Sequence, residues 1–154
     1  MQPLPHHYDV TVTAEGASAE ITSRGLIPLL SAPPSEFGGP GNLWSPETLT
    51  VAAAADCLVL TFRAIASASK FRWTKLNCDG QGTVDRSDGV IRFTAIQLRA
   101  RLVLPAGADA EKARRLLEKA EKACLVGNSL KFQPTLETVI PAVSRSRLTA
   151  PLPC

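Results

Sequence analysis

The sequence predicts an α+β fold, and three observations carry that prediction. Apolar and polar residues alternate between Tyr8 and Leu30; a long alanine-rich segment with few charges follows Ser45-Pro46-Glu47; and two further alternating runs meet near Asp88-Gly89, ahead of an amphipathic helical pattern. At 154 residues the chain can bury one core but is too short for two well-separated ones. One domain is therefore expected over residues 1–154, with a core of about 8–140 and a mobile Pro/Ser/Arg-rich tail, 141–154.

In the first segment Tyr8, Val10 and Val12 share one parity and Asp9, Thr11 and Thr13 the other, and turns are expected at Glu15-Gly16 and Arg24-Gly25. This pattern predicts a short antiparallel meander. Pro33-Pro34 and Gly38-Gly39-Pro40-Gly41 then make residues 31–44 a loop. Ser45-Pro46-Glu47 is a helix start: serine accepts from a free first-turn amide, proline needs no donor there, and an acid suits the positive end of the helix dipole. The helix is expected to reach about Ser69. Thr50, Ala53, Ala54, Cys57, Thr61, Ala64 and Ala68 give it a face of small residues, and its few charges, Glu47, Asp56 and Arg63, predict a mostly buried central helix.

Phe71 to Asp85 and Val90 to Leu104 read as two long strands joined by a turn at Asp88-Gly89. The parity of apolar residues switches at Ala95-Ile96, which predicts a bulge or a strand buried on both faces. A second helix is expected from Ala110 to Leu125, with Ala113, Leu116, Leu117, Ala120 and Cys124 facing the core and Glu111–Arg115 and Glu118–Lys122 pairs outside. Thr135 to Ile140 reads as the last strand. The short opening strands would leave the alanine-rich helix poorly covered in a single chain, so an intertwined homodimer is expected.

Composition narrows the function. The 17 basic and 14 acidic residues are dispersed, without the basic stripe and interleaved aromatics that nucleic-acid binding uses. No apolar run is expected to reach the roughly 20 residues of a membrane span, and the opening residues lack a hydrophobic signal core, which predicts no membrane association and a cytoplasmic protein. Cys57, Cys78, Cys124 and Cys154 are spread singly, and His6 and His7 sit together near the start, so no metal site and no cofactor are expected. His6 and His7 are expected to decorate a mobile end. In a reducing compartment a helix-borne thiol beside a glycine-rich turn and a carboxylate is a candidate for redox chemistry, although a free cysteine most commonly serves as a small buried hydrophobe. From residues alone Glu47 is equally well explained as a first-turn acid complementing the helix dipole. Phe37, Leu43 and Trp44 are candidates for an apolar entrance or for simple packing.

Phe37-Gly38-Gly39-Pro40-Gly41, then Ser45-Pro46-Glu47-Thr48-Leu49, a helical cysteine ten positions after that glutamate, and Ala120-Glu121-Lys122-Ala123-Cys124 followed by Asn128-Ser129-Leu130 together resemble the OsmC/Ohr family over roughly residues 8–140. The resemblance implies an intertwined homodimeric thiol peroxidase that reduces organic hydroperoxides in oxidative stress defence. It also implies Cys57 as the peroxidatic cysteine, Cys124 as the resolving cysteine, Glu47 as the carboxylate that orients an activating arginine, and an external, lipoyl-type dithiol as reductant. Arg24 is the single Arg or Lys before the first helix and so the candidate for that arginine, several residues from the family's position. Asp56 stands before Cys57 where the family more often has a small neutral residue, and Leu125 follows Cys124 where proline is common. Two alternatives remain open: a family member that binds an apolar ligand without turnover, and a thiol redox sensor whose disulfide changes a partner surface. Cys78 and Cys154 are expected to be spectators.

Overall fold

The computed structural model describes residues 2–141, and the chain divides into two compact units after Ala52. The expected tail and Cys154 lie outside the described residues, apart from Pro141.

The first unit opens with the expected meander: β1 (Thr11–Glu15), β2 (Ser18–Thr22) and β3 (Leu29–Ser31) pair antiparallel in the order β1-β2-β3. Gly16 and Gly25, at φ 64° and 77°, supply the left-handed backbone that its two turns need. The loop that follows is ordered by its own backbone. It contains one 3-10 turn, Ser35–Phe37, and is closed where the Ala32 N–H donates to the Trp44 carbonyl at 2.8 Å. Gly39 packs its backbone on Pro33 so closely that a Cβ there would overlap the Pro33 carbonyl.

The first helix, α1 (Pro46–Ala68), starts where the sequence places it and ends one residue short of Ser69. Ser45 is its N-cap, and the cap is reciprocal: the Thr48 N–H donates to Ser45 Oγ at 3.2 Å and the Ser45 N–H donates to Thr48 Oγ1 at 2.8 Å.

In the second unit, β4 (Lys75–Ser87) and β5 (Val90–Val103) form the long hairpin, with Asp88 and Gly89 both at positive φ as its tight turn requires. The predicted irregularity is a bulge. Thr83 pairs with Ala95 and Val84 with Phe93, which leaves Thr94 as the extra residue. That one residue turns Ile96, Leu98, Ala100 and Leu102 inward and leaves Ile91 exposed. β6 (Thr135–Val139) joins β5 in parallel, and a parallel neighbour demands a crossover, here through α2 (Ala110–Ala123) and the short α3 (Leu125–Asn128). Asp109 caps α2 by accepting from the Lys112 N–H at 2.9 Å, and Ala113, Leu116, Leu117 and Ala120 bury the expected stripe. Phe62 sets its ring edge against Trp73 with centroids 5.6 Å apart.

Several expectations need correction. The helical pattern of α2 breaks at Ala123, because Cys124 turns to extended backbone (φ −67°, ψ 111°) and becomes the N-cap of α3. The i,i+4 pairs on α2 do not form among the described residues; instead Arg114 reaches Glu111 at 3.6 Å, one position nearer. α1 buries only a narrow stripe, Ala54, Leu58, Phe62 and Ala66, while Ala53, Ala64 and Ala68 of the small-residue face are exposed. Four residues spaced by four cover one line along a helix, which is what a single neighbouring layer can touch. By length and composition α1 is also apolar enough to cross a membrane, with mean hydropathy 1.7 in its 18-residue window, contrary to the expected absence of such a run. Asp56 and Arg63 inside it do not offset the run of alanine, valine and leucine.

Candidate active site

Cys57 and Cys124 come together. Cys57 lies in the middle of α1, next to the buried Leu58, and its side chain is partly exposed. Cys124 lies at the joint between α2 and α3 and is 4 % exposed. The two are linked through the first turn of α3: the Val126 N–H points to Cys57 Sγ at 3.5 Å, and the Gly127 N–H points to Cys124 Sγ at 3.4 Å. Sulfur is a weak acceptor when neutral, so these amides gain most when the sulfur carries charge. Thr61, one turn after Cys57 on α1, places its hydroxyl 4.0 Å from Cys57 Sγ.

The two thiols shift in opposite directions. Burial raises the Cys57 pKa, but donors from the Val126 N–H, the Cys124 thiol, the Thr61 hydroxyl and the Leu125 N–H outweigh it, and the net shift is downward. Burial raises the Cys124 pKa; the Gly127 N–H opposes this, while the hydrogen bond and charge of Cys57 add to it. One sulfur is thus poised as thiolate and its neighbour as thiol, donating to it. Asp56 is exposed and is not among the groups that shift Cys57.

The packing around Cys124 is tight. Ala54, Leu58, Leu98, Pro134 and Leu136 join it around a gap of only about 10 Å³. A Cβ added to Gly127 would meet Cys124 Sγ at 3.5 Å, an ordinary contact, so this glycine is not sterically compulsory.

Glu47, Arg24, Phe37, Leu43 and Trp44 lie in the first unit. Glu47 occupies the first turn of α1, and its Oε2 is buried with no hydrogen-bond partner among the described residues. Arg24 sits in the turn between β2 and β3, closed by the Leu26 N–H to the Ser23 carbonyl at 3.1 Å. It is exposed, and no hydrogen bond or ion pair holds it among the described residues. Phe37, Leu43 and Trp44 are exposed. Cys78 faces inward from β4, where burial first and the Asp79 carboxylate second push its thiol up to about 11. Among the described residues no group of three His, Cys, Asp or Glu side chains could hold a metal ion.

Sequence reading missed the Val126 amide and Thr61. Thr61 had a signal, since i and i+4 share a helix face. Val126 had none, because a backbone donor is set by the turn and not by side-chain type.

A helix-borne, partly exposed cysteine and a buried second cysteine, each facing a backbone amide of the same short turn, make a candidate dithiol site in an α+β frame. Residues 39–139 match the family model for OsmC-like protein, and the chain belongs to that family. It is 29 % identical to the uncharacterized protein YmaD of Bacillus subtilis over 138 residues, 86 % of this chain and 91 % of that one. It is 28 % identical to peroxiredoxin OsmC of Escherichia coli over 93 residues, 60 % of this chain and 64 % of that one. The solved structure of an organic hydroperoxide resistance protein OsmC from Legionella pneumophila shares the fold, with a TM-score of 0.69 at 22 % identity, covering 90 % of this chain and 100 % of that one.

Proposed function

We propose that the protein is a cysteine-based peroxidase that reduces organic hydroperoxides, with Cys57 as the peroxidatic and Cys124 as the resolving cysteine. The observation that carries the reading is the convergence of both sulfurs on the first turn of α3, with one thiol shifted down and the other up. A relative named peroxiredoxin and a fold neighbour named for organic hydroperoxide resistance supply the reaction and substrate class.

The Cys57 thiolate attacks one oxygen of the peroxide, the O–O bond breaks, and the leaving alkoxide takes a proton to become an alcohol. Cys57 is then a sulfenic acid. Cys124 attacks its sulfur, hydroxide leaves and takes the Cys124 proton as water, and a Cys57–Cys124 disulfide remains. Because Cys124 already lies beside Cys57, the sulfenic acid is captured before further oxidation. A dithiol reductant of the lipoyl type reopens the disulfide.

In this reading Glu47 holds an arginine that assists the thiolate and the leaving oxygen. A buried carboxylate oxygen without a partner is costly, and a guanidinium would satisfy it. Arg24 is the candidate from this chain. Glu47 cannot reach Cys57 itself, since ten helical residues rise about 15 Å. The protein acts as one OsmC-like domain in an intertwined homodimer in the cytoplasm, in stress defence.

Reduced protein mixed with cumene hydroperoxide and excess dithiol tests the reading. Consumption of many equivalents of peroxide supports it. Consumption of a single equivalent points to a redox sensor, and none at all points to a binding protein for apolar ligands.

A further inference from the structure

We propose that the reductant enters the cycle at Cys57, so that the mixed disulfide forms on Cys57 and Cys124 is the sulfur released; this rests on the peroxidase reading above. Thiol–disulfide exchange is an in-line displacement: the incoming thiolate approaches along the extension of the S–S bond, on the far side of the sulfur it attacks. The two sulfurs differ sharply in what such an approach would meet. Cys124 is 4 % exposed, walled by Leu58, Leu98, Pro134 and Leu136, and the gap beside it has about 10 Å³, too little for a thiol-bearing carbon chain. Cys57 is partly exposed on α1. The peroxide must reach Cys57 in any assembly that turns over, and the same opening admits the reductant.

Leaving-group chemistry points the other way. Attack on Cys124 would expel Cys57, whose pKa is lowered, and the lower-pKa thiol leaves faster. Access decides, because a nucleophile that cannot align with the sulfur does not react at any leaving-group pKa. The Gly127 N–H, 3.4 Å from Cys124 Sγ, eases the departure of Cys124 as it takes up the electron pair.

The electrons and protons balance. One thiolate of the dithiol bonds to Cys57 Sγ, the Cys57–Cys124 bond breaks, and Cys124 takes the electron pair and a proton. The second thiol of the reductant then bonds to the first sulfur, expels the Cys57 thiolate and closes a cyclic disulfide, giving its remaining proton to solvent. The dithiol is oxidised by two electrons and the protein disulfide is reduced. The raised pKa of Cys124 keeps it protonated after release, which hinders it from attacking the mixed disulfide and reversing the step.

The test uses the wild-type chain oxidised with one equivalent of tert-butyl hydroperoxide, with the Cys57–Cys124 link checked by peptide mapping. A monothiol, 2-mercaptoethanol, is added briefly; acid stops the exchange, free thiols are alkylated, and peptides are mapped again. The expected result is the mercaptoethanol adduct on Cys57 with alkylated Cys124, in about tenfold excess or more over the reverse pattern. An adduct mainly on Cys124, or an even distribution, overturns the inference while leaving the peroxidase reading intact. If no Cys57–Cys124 link forms at the first step, the peroxidase reading fails and the inference falls with it.

Discussion

Cys57 and Cys124 carry the same functional group in neighbouring places, and their surroundings make one an acid and the other a reserve of protons. The Cys124 thiol is one of the donors that lowers the Cys57 pKa, so Cys124→Ala should raise it. Alkylation of Cys57 by iodoacetamide, followed against pH, should show its midpoint move upward in that variant, and an unmoved midpoint would remove Cys124 from the set of donors. Cys57→Ser should lower peroxide consumption by orders of magnitude. Arg24→Ala should raise the Cys57 midpoint and slow turnover at least about tenfold while leaving the fold intact, and Arg24→Lys should rescue only in part, since lysine lacks the planar fork that holds a carboxylate and a peroxide together. Wild-type rates in both variants would make Arg24 a turn residue. Cys78 sets a different pH dependence. Its pKa rises from an ordinary 9 to about 11 on folding, so the neutral thiol is favoured in the folded state. That contribution is full below pH 9 and is lost as pH rises to about 11, so Cys78→Ala should flatten the alkaline fall in urea stability over that window.

At the scale of elements, what sequence revealed was governed by side-chain pattern. Ser45-Pro46 marked the start of α1 because capping is local, and the switch of parity near Ala95 marked the bulge because a single extra residue inverts every later side chain. The juxtaposition of Cys57 and Cys124 was legible only through resemblance. Periodicity put both on core-facing surfaces, but the contact spans 69 positions between Cys57 and Val126, and nothing local encodes it. The break after Ala123 was missed for a related reason: Cys124-Leu125-Val126 continues the apolar spacing of α2, and only backbone angles show that Cys124 is a cap. That cap makes a prediction. Leu125 is the first residue of α3, its side chain is 70 % exposed, and Cys124 before it is already extended at ψ 111°, as a residue preceding proline prefers. Leu125→Pro should therefore stabilise the fold by about 0.4–1 kcal/mol through the unfolded chain. It also removes the Leu125 N–H, one of the donors to Cys57, so the midpoint of Cys57 alkylation should rise. A destabilised Leu125→Pro variant in thermal unfolding would contradict this account of the joint. In the loop before α1, Gly39→Ala should instead unsettle residues 33–44, because its Cβ has no place beside Pro33.

For the whole molecule, the surface that the described residues leave bare is the main physical problem. β1 is exposed along its entire length, Val10, Val12, Leu26 and Ile27 are exposed with Ile27 at 93 %, and only 22 % of the apolar window of α1 is buried. Scattered apolar residues on a surface are ordinary, but an apolar helix with one buried stripe, beside exposed Val10, Val12, Leu26 and Ile27, is more than the described residues cover. A lipid bilayer or a second copy of the chain would cover α1. The second is favoured by the position of the charges, because Asp56 lies at the middle of the helix and would have to enter hydrocarbon, at about 2.5–3.5 kcal/mol near the centre, with Arg63 two turns further along. Between two protein copies they can remain at the wet rim. A homodimer burying above about 2,000 Å² in total is therefore expected, and it should be obligate, with no folded monomer accumulating. Sedimentation at micromolar concentration should give a single species of twice the chain mass, and a charge placed on the half-exposed apolar flank of α1, Leu60→Glu, should shift it toward unfolded or aggregated monomer together with loss of peroxide turnover. A stable, folded, fully active monomer in either protein would mean that one chain covers α1 by itself and that the site is complete without a partner.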